Sequence, residues 1–194
     1  MLELPESTTI AKQISGHLTG KTISEIRVLQ TPHRFAFFTG ERDKYEEYLE
    51  GQTITGAAAR GGMVQIDTQE SMIVLNDGAY PRYYDDAENF PKKHQFAVCF
   101  DDGTGIFVSI QMYGGITICP RGQCTDGYYV SASTKPDPLT DGFTYDYFRS
   151  LYPASGKRLS AKAFLATQQR IPGLGNGVLQ DILWDAGIDP RYPM

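Results

Sequence analysis

The stretch RIPGLGNGVLQDILWDAG, residues 170–187, holds two structural signals in one run. Its second half reads as a helix. Asn176 suits the N-cap, Val178, Leu179, Ile182, Leu183 and Ala186 recur on one face, Gly187 suits the C-terminal stop, and Pro190 lies just beyond. Its first half sets glycines and an asparagine between helical segments, where backbone N–H groups can face outward with no Cβ in the way. Such a helix start suits an anion. From spacing alone, a tight helix-turn-helix whose glycines only permit packing fits better than an anion site.

Toward the N-terminus, Ala161, Phe164, Leu165 and Gln168 keep a helical period, as do Phe143, Tyr147, Phe148 and Leu151. The segment SASTKPDPLTDG, residues 131–142, shifts abruptly to Ser, Pro, Asp and Gly and reads as a boundary. Before it the period is two. TISEIRVLQ, HRFAFFTG, GQTITGAAA, GMVQID and SMIVLND are short, β-branched and aromatic segments cut by turn residues. KKHQFAVCFDDGTGIFVSIQM reads as a hairpin around Asp-Asp-Gly, and ITICP and GYYVSAS read as further strands. Residues 4–19 read as a helix: Pro5 suits its first turn, Glu3 and Glu6 its positive end, and Gly20 its stop. Many short strands in sequence imply a sandwich or barrel. The expected division is a β-domain with its leading helix over residues 1–133 and a helical domain over 134–194.

Composition narrows the class. The 194 residues are 41% hydrophobic and 21% charged, ordinary for a globular chain, while 12 tyrosines suit twisted sheet. Apolar runs such as FAVCF and ILW are too short to span a bilayer and no secretory leader precedes them, so a cytoplasmic location is expected. Cys99, Cys119 and Cys124 cannot all pair, which fits a reducing compartment. CPRGQC hints at metal, but there is no second pair and His17, His33 and His94 are scattered, so no metal site is expected. The net charge of −5 argues mildly against strong nucleic-acid binding, although local clusters can overrule a net value.

The chain resembles the formamidopyrimidine-DNA glycosylase and endonuclease VIII family at both ends. Gly173, Leu174, Gly175, Asn176, Asp181, Ile182, Leu183, Ala186, Gly187, Ile188 and Pro190 match its helix-two-turn-helix pattern. LELPESTTIAKQISGHLTGKTI is similar to its opening P-E-L-P-E-V through G-K-x-I, and DPLTDGF and the DDG hairpin fall in family order. The resemblance implies an α+β fold: an N-terminal helix with a two-sheet antiparallel β-sandwich, then a helix-two-turn-helix domain that stops before any zinc finger. It implies double-stranded DNA carrying a damaged base or abasic site as partner, a monomer, and no membrane. No cofactor is expected within residues 1–194; zinc belongs to a C-terminal segment of the family.

The resemblance also implies the chemistry. Family members flip a damaged base, attack C1′ with an N-terminal amine and cleave the Schiff base by elimination. An α-amine titrates near about 8, so part of it is unprotonated at neutral pH. The family's terminal proline is matched here by Leu2. Leucine after the initiator predicts that Met1 stays, moving the amine outward by about 3.5 Å. Met1, Leu2, Glu3 and Glu6 are thus the candidate catalytic residues, with Glu3 matching the family's proton shuttle. Acidic residues in a first helical turn are also stabilising without any catalytic part. Candidate DNA contacts are Gly173, Gly175 and Asn176 in the turn, Arg60 in the β-domain, Tyr113, and Lys157 beside Arg158. The family's R-x-G-K is matched by Arg60, Gly61 and Gly62, so its lysine is missing. Its D-P-R-R-F-G wedge aligns with Ile110, Gln111, Met112, Tyr113 and Gly114, where only the aromatic survives. Three readings stay open: a glycosylase with AP-lyase activity, a non-catalytic damaged-DNA binder, and a sandwich recruited for protein interaction.

Overall fold

The computed structural model describes residues 2–152 and 158–194, so the candidates Met1 and Lys157 lie outside the described residues. Helix α1 (Leu4–Leu18) starts with Pro5 in its first turn, where a missing N–H costs nothing, and buries Leu4, Ala11, Ile14 and Leu18 at helical spacing. Seven strands follow: β1 (Ile23–Val28), β2 (Ala36–Thr39), β3 (Ile54–Arg60), β4 (Met63–Thr68), β5 (Ser71–Tyr84), β6 (Phe96–Phe100) and β7 (Gly105–Pro120). A short helix, α2 (Tyr45–Leu49), sits between β2 and β3. The order across the sheet is β1-β6-β7-β5-β4-β3, with β2 added on β7.

The ladder is continuous, but β5 and β7 divide it into two parts. Ser71–Asp77 pairs with Gly114–Pro120, Ala79–Tyr84 pairs with Gly105–Ile110, and the register shifts between Asp77 and Ala79. Asp77 (φ +52) and Met112 (φ +62) take left-handed conformations at that break. One part carries β4 and β3, the other β6 and β1. Ile54, Val64, Ile66 and Leu75 from the first share one core with Ile23, Phe96, Val98 and Val108 from the second. The two layers expected of the sandwich are therefore joined through a bent pair of long strands. Phe96 is completely buried there, and Phe96→Ala is expected to lower stability by about 3–5 kcal/mol in urea denaturation.

Beyond the merging of ITICP into β7, which carries straight on from the hairpin, four details depart from the sequence reading. SMIVLND does not end a strand: β5 continues through Pro81 to Tyr84, because the bulge absorbs the Asn-Asp-Gly turn signal. Strand β2 pairs parallel to β7, not antiparallel, since it arrives by the 29–35 loop and no hairpin fixes its direction. GYYVSAS is not a strand but helix α3 (Gly127–Thr134), started by the Asp126 carboxylate, which accepts from the Tyr129 N–H at 2.8 Å. The compositional boundary at residue 131 thus begins inside the last turn of that helix.

The remaining helices are α4 (Tyr145–Ser150), α5 (Ala161–Ala166) and α6 (Asn176–Asp185). Aromatic rings join α4 to α5, with Phe148 and Phe164 at 6.1 Å between centroids. Leu179 and Leu183 of α6 pack on Ala161. The fourth departure lies here. Asn176 is the first helical residue and Gly175 occupies the cap position, while Ile182 stays 46% exposed, so the apolar face is narrower than its sequence pattern.

At the DDG hairpin, Lys21 and Thr104 both bind the Asp102 carboxylate and hold it down to about 2, well below the usual carboxylate range. Its stabilising contribution is present above the unfolded value near about 3.9 and fades as pH falls through the folded one. A carbon-detected NMR titration should find its midpoint about two units below that of a free aspartate.

Candidate functional site

The first residues of the chain, the β3–β4 turn and the turn before α6 meet backbone to backbone. Leu2 N–H donates to the Asp77 carbonyl at 2.6 Å, and Leu4 N–H donates to the Gly173 carbonyl at 2.9 Å. The buried Ser7 hydroxyl lies 2.5 Å from the Gly61 carbonyl that it donates to. Glycine is what lets these segments touch. A Cβ on Gly173, which sits at φ +82, would fall 2.4 Å from the Gly61 carbonyl carbon and the Gly62 nitrogen. A Cβ on Gly62 would fall 2.8 Å from the Leu2 carbonyl oxygen. A side chain at Gly62 therefore has no room beside this path of residue 2.

Glu3 locks the arrangement. Its carboxylate accepts from Gly177 N–H at 2.9 Å and from Val178 N–H at 2.8 Å, satisfying two orphan donors of α6 from a residue 174 or more positions away. Only 8% of Glu3 is exposed, and a Cβ on Gly175 would lie 2.4 Å from its carboxyl carbon. The cap that Asn176 suits by sequence is thus made by Glu3, and Asn176 is left exposed at the helix start. Glu6 is exposed too, and accepts from the Glu3 N–H at 3.2 Å.

Beside this junction lies a cleft of about 370 Å³, bordered by Leu2, Gly62, Gly173 and Gly175 together with Asn76, Asp77, Tyr113 and Tyr128. Burial pushes the Asp77 carboxyl above its usual range. Burial, and then the charge of Asp77, raise the Tyr113 hydroxyl. The Asn76 amide oxygen is buried and meets no donor among the described residues, and the missing side chain of Gly115 makes its space. Asn76, Asp77 and Tyr128 carry no sequence signal of a site, because only folding brings β5 and α3 beside residue 2.

Other candidates fall elsewhere. Arg60 ends β3 with its Nε donating to Gln65 at 2.9 Å, and borders a separate crevice with Pro136 and Asp137. Met112 is 81% exposed next to Tyr113, and Gln111 and Arg158 are exposed as well. Arg170 and Lys135, near the turn, are directed at the backbone carbonyls of Phe164 and Gln169. Among the described residues no lysine or arginine lines the cleft. No group of three or more His, Cys, Asp or Glu among them could hold a metal; Cys119 and Cys124 are free thiols in an apolar cluster.

A helix-led bent sheet closed onto a glycine-rich helical turn defines the class. The family model for the formamidopyrimidine-DNA glycosylase N-terminal domain matches residues 1–118. The chain belongs to the formamidopyrimidine-DNA glycosylase family. Among curated relatives, the formamidopyrimidine-DNA glycosylase of Enterococcus faecalis is 28% identical over 202 residues, spanning 100% of this chain and 68% of that protein. That of Brevibacillus brevis is 29% identical over 198 residues, spanning 100% of this chain and 69% of the relative. Lactococcus lactis Fpg bound non-covalently to DNA containing an AP site superposes with a TM-score of 0.79 at 24% identity, covering 98% of this chain and 70% of that one. The wild-type Lactococcus lactis Fpg complex with DNA containing N7-benzyl-Fapy-dG gives 0.76 at 22% identity over 98% and 70%. These likenesses are of fold.

Proposed function

We propose that the chain is a DNA base-excision-repair protein, a glycosylase and AP lyase acting on duplexes with an oxidised base or an abasic site through a terminal-amine Schiff base. The observation that carries this reading is the seating of residue 2. Leu2 borders a cleft that Asp77 and Tyr113 also line, its N–H is held by the Asp77 carbonyl, and the Glu3–α6 junction anchors the segment. A terminal amine tethered to this segment is confined near a sugar docked in the cleft, which is the main advantage a site can give such a reaction. Tyr113, 41% exposed at the rim, is placed to stack in the gap left by a flipped base. Asn176 and the exposed end of the turn are placed to meet the phosphate backbone. The protein acts in the cytoplasm as a monomer and needs no cofactor within these residues; no helix among the described residues is long and apolar enough to cross a membrane.

A second reading is favoured by Gly62 and by the lack, among the described residues, of any lysine or arginine lining the cleft: a damaged-DNA binder without chemistry. One experiment separates the two. The protein is incubated with an abasic-site duplex and sodium borohydride, and its first residue is identified by intact mass. Glycosylase chemistry gives a covalent adduct mapped to the α-amine of the first residue. Salt-sensitive binding without an adduct replaces the first reading by the second; no binding at low salt removes both.

A further inference from the structure

We propose that the Asp77 carboxylate is the proton-accepting partner of the α-amine in the cleft, and that it then faces the positive charge of the imine formed there. This inference rests on the terminal-amine reading above.

Leu2 N–H is 2.6 Å from the Asp77 carbonyl, so residues 2 and 77 are adjacent through their backbones. Covalent geometry keeps the α-nitrogen of a preceding residue within about 3.7 Å of the Leu2 nitrogen. With leucine first, the amine is the nitrogen beside Asp77; a preceding residue sets it off by at most that span. Asp77 takes a left-handed backbone at φ +52, which most side chains avoid and which aspartate and asparagine tolerate best. The bulge is fixed by Gly78, whose Cβ would overlap the Gln111 carbonyl oxygen at 2.1 Å. The titratable groups facing the cleft are Asp77 from β5, Tyr113 from β7 and Tyr128 from α3, and Asp77 is the one carboxylate among them. Glu3, at the adjoining junction, has both oxygens engaged by α6. Burial raises the proton affinity of Asp77, as an acceptor needs, while the positive chain end opposes the rise.

On an abasic site the step balances without a further reagent. Asp77 first takes one proton from the α-ammonium, and the freed lone pair bonds to C1′ of the open aldehyde while the carbonyl π pair moves to oxygen. A second nitrogen-bound proton passes to that oxygen, Asp77 returns the first, and the oxygen leaves with both as water, giving an iminium that keeps one N–H opposite the regenerated carboxylate.

The test is borohydride trapping of the full chain on an abasic-site duplex between pH 5 and pH 9, with duplex binding measured alongside. Asp77→Asn keeps a residue suited to φ +52, and Asp77→Gly removes the side chain with no conformational cost. Both are expected to bind the duplex like the wild type and to trap about 10²-fold more slowly at neutral pH. The acid limb of the profile should move to lower pH, because the amine loses the anion that favours its ammonium. Asp77→Glu should recover part of the rate. Wild-type trapping with unchanged rate and profile in Asp77→Asn and Asp77→Gly overturns the inference alone. A wild type that binds without trapping overturns the terminal-amine reading and this inference with it.

Discussion

Gly173→Ala is expected to cost about 3 kcal/mol or more. Two penalties combine at the site. A left-handed backbone at φ +82 costs an L-residue about 1–2 kcal/mol. The new methyl also lands 2.4 Å from the backbone of Gly61 and Gly62, and overpacking of this kind adds about 1–3 kcal/mol. Gly20→Ala is the control, since Gly20 sits at φ +91 with nothing near its Cβ position. It should cost only the conformational part. Urea midpoints of the two variants compared with the wild type check this: equal costs would mean that the close approach at Gly173 contributes nothing. Because the displaced backbone carries Leu2 and Gly175, Gly173→Ala should also lose abasic-site binding, whereas Gly20→Ala should keep it.

Glu3→Gln should be nearly as damaging. A carboxylate accepts from both Gly177 and Val178 N–H groups, but a carboxamide offers one acceptor and turns its NH₂ toward the other donor. Hydrogen bonds to a charged group are worth about 1.5–3 kcal/mol each. The expected loss is therefore about 2 kcal/mol for Glu3→Gln and about 4 kcal/mol for Glu3→Ala, which loses both bonds. Amide hydrogen exchange at Gly177 and Val178 reads the same event locally and should quicken in both variants. Exchange unchanged in Glu3→Ala would show that α6 needs no cap from residue 3. Trapping on an abasic duplex should fall by about 10²-fold in Glu3→Gln, because the segment that seats the amine is released with it.

Much of the fold is legible in residue order. The period-two runs, the DDG hairpin and the α1 pattern each report local packing, and each element stands where its pattern lies. The failures share a cause: a local signal overruled by a partner distant in sequence. Asn76-Asp77-Gly78 carries turn chemistry, yet β7 supplies a matching bulge and the strand continues. Tyr128, Tyr129 and Val130 look like strand residues, but Asp126 starts a helix and the Tyr129 hydroxyl donates to Gln65 at 2.8 Å to dock it. The candidate site was legible only where resemblance supplied it. Composition marks neither Glu3 as the cap of a helix far along the chain nor Asp77 as the acid beside residue 2, since both roles arise from long-range convergence. The loss of the R-x-G-K lysine was visible in sequence; that the Leu2 carbonyl closes off the space at Gly62 was not.

The Glu3–Val178 tie spans almost the whole chain, so the two ends of that bond leave the ribosome far apart in time. At about 5–20 residues per second, the later partner follows the earlier by roughly 10–35 s. Throughout that delay the sheet can form while residues 1–4 have no turn to dock against. Enzymes that trim or acylate nascent chains thus have a window in which the segment around residue 2 is accessible, and the closing of α6 ends it. On the terminal-amine reading, a usable nitrogen has to be secured in that interval.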